Sequence, residues 1–294
     1  MSDIRKRLRE RLQEKEIVIA PGAYDALTAT LCEQAGFEAV YLTGAGVSYS
    51  TLGKSDVGLI TMTEMADKAA YICDAVSIPV IADGDTGYGN ALNVMRTVRE
   101  YERAGVAAIQ LEDQLFPKRC GHLANKALIS ADEMVAKIHA AVDARKDENF
   151  LIIARTDARA VEGLEAAIER ALRYEEAGAD VIFVEAPTSE EELAQVARRL
   201  NKPLLANMVE GGKTPLVPAQ RLQEMGYSIV IYPNSVTRVI AKAAADFYRE
   251  LKQTGSTTGY ADRMLTFDQL NQVLGLAQIR QLEQKYDEKN FRRA

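Results

Sequence analysis

The apolar positions of the chain occur in eight short runs that are hydrophobic throughout and do not alternate with polar residues. The runs are residues 17–20, 39–42, 79–82, 107–111, 150–154, 180–184, 203–206 and 228–232. Uninterrupted runs rich in Val, Ile and Leu are typical of strands that are buried on both faces of a parallel sheet. The pattern therefore predicts eight buried, parallel strands.

Each run is followed by a segment with helical periodicity. The predicted helices cover about 23–35, 63–76, 90–104, 131–145, 164–177, 189–200, 218–226 and 235–252. Several end before a glycine, as at Gly105 and Gly226, where a left-handed residue closes a helix. Eight strand–helix units in about 250 residues fit a closed (β/α)₈ TIM barrel better than an open, doubly wound sheet. No GxGxxG motif follows the first strand, which disfavours dinucleotide binding.

The ends of the chain predict helices outside the barrel. The first sixteen residues are charged and helical, and residues 267–294 predict two further helices. No Pro- or Ser-rich linker interrupts the chain. We therefore expect one domain over residues 1–294, with the barrel at about 17–252 and a helical appendage at about 253–294.

Composition and charge argue against nucleic acid and membranes as partners of this protein. The net charge of −6 argues against nucleic acid, which demands clustered Lys and Arg. No apolar run approaches the roughly 20 residues of a membrane span, and the first residues lack the apolar core of a signal peptide. The three cysteines are widely separated and form neither a disulfide framework nor a zinc motif. We expect a cytoplasmic protein that acts on a small molecule.

Polar residues follow several of the predicted strands, at the end of the barrel where catalysis takes place in this fold. They are four acids, one arginine and one asparagine: Asp83, Asp85, Glu112, Arg155, Glu185 and Asn207. Acids converging on one rim without histidine suit hard Mg²⁺ or Mn²⁺ ions better than zinc. An acidic protein that handles an anionic substrate must supply positive charge locally, and Arg155 together with such a metal would do so.

Two glycine-rich segments also lie at this rim. The segment 43–46, after the second strand, is predicted as a turn that presents backbone N–H groups to a carboxylate. The segment 211–214, after the seventh strand, ends in Thr214, which we include among the substrate-binding candidates. A phosphate-binding barrel is disfavoured because no second glycine-rich turn follows the eighth strand.

A long polar insertion, residues 114–126, follows the fourth strand and is predicted to be a lid. It contains Cys120 with Lys118, Arg119 and His122 nearby, and such cations lower the pKa of a thiol. Cys120, Lys118 and His122 are therefore catalytic candidates. Cys32 and Cys73 lie on amphipathic helices and are predicted to fill the core.

Five segments together show a family resemblance: DGDTGYGN, LEDQ, KRCGH, IIARTDAR and NMVEGGKTP, in this order. With them the sequence closely resembles the isocitrate lyase/phosphoenolpyruvate mutase superfamily over nearly its whole length. The resemblance implies a (β/α)₈ barrel whose last helix is exchanged between the subunits of a homotetramer. It also implies Mg²⁺ or Mn²⁺ as cofactor and an enolate-like intermediate.

The resemblance assigns roles to individual residues. It makes Asp85 the direct metal ligand, with Asp56, Asp83 and Glu112 holding the metal's waters. It makes Cys120 the acid that protonates the departing group.

It also implies a substrate site. Arg155 neutralises charge on the substrate oxygen, and Tyr41, which lies close by, is a further catalytic candidate. The remaining residues bind or line the substrate: Thr43, Gly44, Ala45, Glu185 and Asn207. Arg238 matches an arginine that meets a third carboxylate in methylisocitrate lyases. Asn234 stands at a position that is usually apolar in these relatives. Because of this departure, the resemblance does not define the substrate pocket at this position.

The function that the resemblance implies is Mg²⁺-dependent cleavage of a 2-methyl-2-hydroxy di- or tricarboxylate, such as 2,3-dimethylmalate or 2-methylisocitrate, to pyruvate and a second acid. KRCGH argues against phosphoenolpyruvate mutases and phosphonopyruvate hydrolases. The alternatives are a carboxyphosphonoenolpyruvate phosphonomutase, an oxaloacetate hydrolase or decarboxylase of the same superfamily, and a non-catalytic barrel that senses an oxo acid.

Overall fold

The computed structural model describes residues 2–121 and 125–291 and contains a closed barrel of eight parallel strands, in chain order. The strands are β1 Val18–Ala23, β2 Val40–Leu42, β3 Val80–Asp83, β4 Ala108–Glu112, β5 Leu151–Thr156, β6 Val181–Val184, β7 Leu204–Asn207 and β8 Ile229–Tyr232. Pairing of β1 with β8, with Val18 opposite Ile229, closes the barrel. The predicted (β/α)₈ fold is confirmed.

Helices follow the strands as the periodicity predicts. They are α1 Ser2–Arg11, α2 Ala26–Gln34, α3 Gly44–Leu52, α4 Met62–Ala75, α5 Ala91–Ala104, α6 Ala131–Ala144, α7 Leu164–Glu176, α8 Glu190–Arg199, α9 Ala219–Met225, α10 Ser235–Thr254, α11 Phe267–Val273 and α12 Leu276–Lys285. Short 3₁₀ turns cover Ala158–Ala160, Thr258–Arg263 and Glu288–Phe291. Helices α11 and α12 are the two predicted in the C-terminal segment.

Local sequence explains where the barrel helices begin and end. The Thr61 hydroxyl accepts a hydrogen bond from the backbone N–H of Glu64, whose side chain binds back to Thr61, and this capping box starts α4. Asn90 caps α5 in the same way, and Gly105 closes it at φ +100°. These signals lie within a few residues of each helix end, which is why the helices were predictable.

One element differs from the sequence prediction. The segment 43–46, predicted as a turn, is the start of helix α3, with Thr43 as its N-cap. The Thr43 hydroxyl accepts a hydrogen bond from the Gly46 N–H at 3.2 Å. Two glycines in the first turn disguise this helix, because glycine has a low helix propensity.

The barrel strands face two separate apolar clusters. One cluster, inside the barrel, contains alternate strand residues such as Leu151 and Ile153 of β5, together with Leu8 of α1. The other, between the barrel and its helices, contains the intervening residues such as Ile152 and Ala154. Side chains alternate in this way along every barrel strand. A residue two positions beyond an inward-facing residue therefore also faces inward.

The chain divides into two compact units, the first ending at Thr237 and the second starting at Arg238. The second unit contains most of α10 together with α11 and α12. Within it, the buried Tyr260 packs edge-on against Phe247 with the ring centroids 5.3 Å apart. The single-domain assignment of residues 1–294 stays a prediction. None of the described helices has the length and apolar character that crossing a membrane requires.

Candidate active site

Because side chains alternate along each strand, the polar candidate residues at the strand ends point into one mouth of the barrel. Ile153 faces the interior, so Arg155 at the end of β5 does too, and the same parity applies to Asp83 after Ile81 and Glu185 after Phe183. Glu112 and Asn207 occupy the equivalent ends of β4 and β7. The carboxyl ends of parallel strands meet at one rim. The structure therefore brings together the strand-end residues that the sequence singled out.

The acids on one side of this mouth share a buried ammonium group. The Lys118 Nζ atom lies 2.5 Å from Asp56 Oδ1 and 2.7 Å from Asp85 Oδ1. Asp85 has a left-handed backbone (φ +47°), and its N–H donates to Asp83 Oδ1 at 3.0 Å. The sequence placed Lys118 beside the thiol of Cys120, whereas in the structure its charge is engaged by two carboxylates.

Burial perturbs the protonation of these groups. It raises the pKa of Asp85 to about 7, against the opposing effect of Lys118 and with a further rise from Asp83 and Asp56. Burial alone would lower the pKa of Lys118, but the carboxylates of Asp85 and Asp56 raise it well above its ordinary value. Burial also raises the pKa of Glu112 well above its ordinary value, although Arg155 opposes the shift. The site contains more carboxylate groups than cationic side chains that could neutralise them.

The donor chemistry of this cluster fits a hard divalent cation. In residues 2–121 and 125–291, no three His, Cys, Asp or Glu side chains are already gathered around one metal position. Among the described residues, the buried oxygen Glu112 Oε1 nevertheless has no hydrogen-bond partner, and Asp85 Oδ1 is contacted by the Lys118 ammonium at 2.7 Å. Carboxylate oxygens are the ligands that Mg²⁺ and Mn²⁺ prefer. Asp56, Asp83, Asp85 and Glu112 would hold such an ion.

Arg155 is held in place by two carboxylates and an aromatic ring. Its Nε and Nη2 atoms donate to both oxygens of Asp157 at 2.9 and 3.1 Å, and its Nη1 lies 3.1 Å from Glu112 Oε2. The guanidinium lies 5.3 Å from the centroid of the Phe183 ring. Burial alone would lower the pKa of Arg155, but Asp157 and Glu112 raise it well above its ordinary value. Arg155 is a fixed, permanent cation in the mouth.

Behind Arg155 lies a hydrogen-bonded network that the sequence did not single out as functional. The Asp157 N–H donates to Asp113 Oδ1 at 2.9 Å, while Asp113 Oδ2 accepts from the hydroxyls of Thr156 and Tyr174 at 2.7 and 2.8 Å. Asp113 and Asp157 are fully buried. Buried acids bonded in this way hold a neighbouring backbone and guanidinium in place. The signal was present in the motifs, because LEDQ places Asp113 next to Glu112 and IIARTDAR places Asp157 two residues after Arg155.

A second missed residue connects Tyr41 to the acids. The Tyr41 hydroxyl donates to Gln110 Oε1 at 3.0 Å, and Gln110 Nε2 lies 3.4 Å from Asp83 Oδ1. Gln110 is fully buried inside an apolar strand, two residues before Glu112. An isolated polar residue in an apolar run, at the same parity as a site residue, was the available signal.

The start of helix α3 lies against the acid cluster. A Cβ atom on Gly44 would lie only 2.8 Å from Asp83 Oδ2, so this position has no room for a side chain. The N–H groups at a helix N-terminus favour anions. Thr43 and Ala45 line the cavity that remains in the mouth of the barrel. The structure thus supplies backbone donors from a helix where the sequence predicted a turn.

The insertion after β4 covers the mouth. The Cys120 N–H donates to the Asp56 carbonyl at 3.2 Å, and Gly121 lies against Arg155 and Glu185. A cavity of about 40 Å³ remains, lined by Tyr41, Thr43, Ala45, Asp56, Asp83, Cys120, Gly121, Arg155, Phe183, Asn207, Val209, Ile231, Pro233 and Asn234. The thiol candidate and the arginine therefore face the same space.

His122, Thr214 and Arg238 stay predictions. His122 lies outside the described residues. Thr214 is buried, but the described cavity wall does not include it. Arg238 is exposed in the first turn of α10. By contrast, Asn207 is in place, and its Nδ2 donates to the carboxylate of Glu185 at 3.2 Å.

Comparisons with known proteins identify the family. The sequence pattern of the phosphoenolpyruvate phosphomutase family matches residues 8–252. The chain is 52% identical over 280 residues to a 2,3-dimethylmalate lyase of Eubacterium barkeri, covering 95% of this chain and 97% of the relative. It is also 52% identical over 268 residues to a 2-methylisocitrate lyase of Aeropyrum pernix, covering 91% and 86%.

A solved structure extends the likeness to three dimensions. The crystal structure of a 2,3-dimethylmalate lyase, a PEP mutase/isocitrate lyase superfamily member, superposes with a TM-score of 0.92 at 40% identity, covering 97% of this chain and 95% of that one. The protein is therefore an enzyme, and its chain belongs to the phosphoenolpyruvate mutase/isocitrate lyase superfamily.

Proposed function

We propose that this enzyme is a divalent-metal-dependent carbon–carbon lyase. It cleaves a 2-methyl-2-hydroxy di- or tricarboxylate, of the 2,3-dimethylmalate or 2-methylisocitrate type, to pyruvate and a second carboxylic acid. The observation that carries the proposal is the shared cavity, where the fixed cation Arg155 and the carboxylates of Asp56 and Asp83 meet the thiol-bearing residue Cys120. Relatives that are half identical and are named as lyases of these two substrates support the same reaction.

In this proposal each group has a defined task. The first turn of α3, from Gly44, binds the substrate's C1 carboxylate through backbone N–H groups. The C2 hydroxyl loses its proton, and Arg155, which Asp157 already orients, stabilises the resulting negative charge on the C2 oxygen. As the C2–C3 bond breaks, C2 becomes the carbonyl carbon of pyruvate and the electron pair of the bond moves onto C3 and the carboxylate attached to it. Cys120 then delivers a proton to C3, and the thiolate left behind takes up a proton in place of the one lost from the C2 hydroxyl. Asp56, Asp83, Asp85 and Glu112 would hold a Mg²⁺ or Mn²⁺ ion, which would supply Lewis-acid stabilisation of negative charge on the substrate.

The size of the cavity adds a requirement. Since a single water needs roughly 10–15 Å³ of such space, about 40 Å³ admits only a few waters and no branched dicarboxylate. The segment that carries Cys120 and Gly121 must therefore move outward before substrate enters. Its return excludes water from the reacting groups, as lids in enzymes commonly do.

The remaining assignments belong to the same proposal. Thr214 and Arg238 bind the distal part of the substrate, and His122 acts beside Cys120. The protein is cytoplasmic and forms a homotetramer in which a C-terminal helix is exchanged. The exposed apolar side chains of the C-terminal unit, such as Phe267 and Leu282, support burial of this unit in an assembly.

The test is a substrate panel on the purified protein. We expect pyruvate, measured by lactate dehydrogenase coupling, from 2,3-dimethylmalate or 2-methylisocitrate in the presence of Mg²⁺. Activity should fall by at least about 100-fold in Cys120→Ser, whereas Cys32→Ser, at a core position, should keep it. Absence of pyruvate from both substrates, or full activity in Cys120→Ser, would refute the proposal.

Two control substrates separate the alternatives. Oxalate and acetate formed from oxaloacetate would reveal a hydrolase, and carbon dioxide with pyruvate would reveal a decarboxylase. Phosphorus NMR with carboxyphosphonoenolpyruvate would reveal P–C bond formation. Any of these as the main activity would replace the lyase proposal.

A further inference from the structure

Lys126 is a buried charged residue with no role in the reaction proposed above. Its side chain is only 1% exposed, although a lysine ammonium is costly to remove from water. Its Nζ atom lies 2.6 Å from Asp157 Oδ1 and also donates to the carbonyl oxygen of Gly121. These two partners come from different parts of the site, so one ammonium group connects them.

The first partner, Asp157, is the residue that orients Arg155. Asp157 Oδ1 is shared between Lys126 Nζ and Arg155 Nη2, which lies 3.1 Å away, while Oδ2 binds Arg155 Nε at 2.9 Å. Burial alone would raise the pKa of Asp157, but Arg155 and Lys126 hold it below its ordinary value. Lys126 thus gives Asp157 a second cation. Without it, the carboxylate would have only the guanidinium to balance its charge.

The second partner, Gly121, is the neighbour of Cys120 in the segment over the mouth. The position of a Cβ atom on Gly121 lies 2.5 Å from Arg155 Nη2 and 2.7 Å from Glu185 Cδ. The Gly121 backbone therefore lies directly against the Arg155 guanidinium. The hydrogen bond from Lys126 to the Gly121 carbonyl holds the backbone in this position. A change at Lys126 alters both the segment with Cys120 and the group beneath it.

We propose that Lys126 is a positioning residue that sets two reacting groups at once. It orients the Arg155 guanidinium through Asp157, and it holds the Cys120–Gly121 segment over that guanidinium through the Gly121 carbonyl. Lys126 itself touches neither substrate nor metal. The proposal rests on the proposed function only where it treats Arg155 and Cys120 as reacting groups. The two contacts of the ammonium stand without it.

The first experiment needs no substrate. Lys126→Met keeps the length of the side chain and removes its charge, and the matched control is Lys202→Met, at an exposed lysine before β7. The rate of alkylation of Cys120 by iodoacetamide is followed by mass spectrometry of its peptide. We expect at least about a fivefold faster alkylation in Lys126→Met, since a segment that loses its anchor opens more often, and no change in Lys202→Met.

The second experiment uses turnover. Lys126→Met should lower kcat by about 30-fold or more while KM changes less than about threefold, because the groups that stabilise the transition state are displaced. Lys126→Arg, which keeps the charge, should recover part of both effects. Combining Lys126→Met with Asp157→Asn should change kcat non-additively, because the two residues act through one contact.

The outcomes are distinguishable. Unchanged alkylation with unchanged kcat in folded Lys126→Met overturns the inference, and so does a strictly additive double variant. If Lys126→Met does not fold, Lys126→Gln is measured in its place. If both fail to fold and the double variant folds no better, the lysine is structural and the inference is overturned. Absence of lyase activity in the unmodified protein defeats the proposed function, while the alkylation rates still decide whether Lys126 holds the segment.

Discussion

Replacing Gly121 with alanine adds a single methyl group where the covering segment meets Arg155. No left-handed backbone is required at Gly121, so alanine is compatible with the local conformation. The added carbon would lie 2.5 Å from Arg155 Nη2 and 2.7 Å from Glu185 Cδ and Cγ. These distances are roughly 1 Å shorter than an ordinary contact between such atoms. The substitution therefore tests whether close approach of this segment matters, without changing its charge or hydrogen bonds.

The magnitude follows from the overlap. Forcing an additional carbon into a packed site costs about 1–3 kcal/mol. The covered state should lose stability relative to the open state by about 5- to 150-fold, since 1.4 kcal/mol is a factor of ten. Because the segment can move away, the free energy of unfolding of the barrel should change little. Activity that depends on the covered state should fall by the same factor.

The assay combines kinetics with thiol accessibility. We expect kcat/KM for the preferred substrate to fall by about 5- to 150-fold and Cys120 to be alkylated faster, with the melting temperature nearly unchanged. The control is Gly53→Ala, where φ is +62° and no atom lies near the added methyl. It should lower stability by about 1 kcal/mol through backbone strain and leave alkylation unchanged. Normal activity and normal alkylation in folded Gly121→Ala would refute the reasoning.

Three further predictions concern the thiols and the two cations of the mouth. Burial raises the pKa of Cys32 to about 11 and that of Cys73 to about 12, so at pH 8 their thiolate fractions are about one in a thousand or less. A disulfide reagent should label one thiol of the native protein, Cys120; rapid labelling of three thiols would contradict this. Arg155→Lys keeps the charge but loses the two parallel hydrogen bonds, and kcat should fall by at least about 100-fold; a folded variant within threefold of the parent would contradict the assigned role. Lys118→Met removes an ammonium group that occupies the acid cluster, so the affinity for Mn²⁺ should rise by about threefold or more. The affinity is measured from the electron paramagnetic resonance signal of free Mn²⁺, and weaker binding would show that Lys118 supports the metal site instead.

Much of the architecture was accessible from local patterns. The closed barrel was predicted from the eight apolar runs, the helical segments and the glycines that close the helices. This was possible because burial of a strand on both faces and helix capping each depend on residues that are close together in the sequence. The acids and Arg155 were found at the rim because strand ends define it. The family resemblance added Asp56, which lies between α3 and α4 and not directly after a strand.

The arrangement of α3 could not be read in the same way. Glycines at positions 44 and 46 lower helix propensity, so the pattern favoured a turn. In the folded chain, Gly44 lies against Asp83 and leaves no space for a side chain, which is a tertiary reason for glycine. Local propensity and tertiary packing point in opposite directions here, and packing decides.

The sequence alone thus accounts for the barrel, its order of strands and the set of charged residues at one mouth. Folding decides which charges pair: Lys118 contacts Asp56 from 62 positions away, and Lys126 contacts Asp157 from 31 positions away. An ion pair forms only where two side chains are brought within a few ångströms and shielded from water, and this depends on the closure of the whole barrel. The partners of a buried charge are therefore a property of the three-dimensional structure, whereas its presence near the rim is a property of the chain.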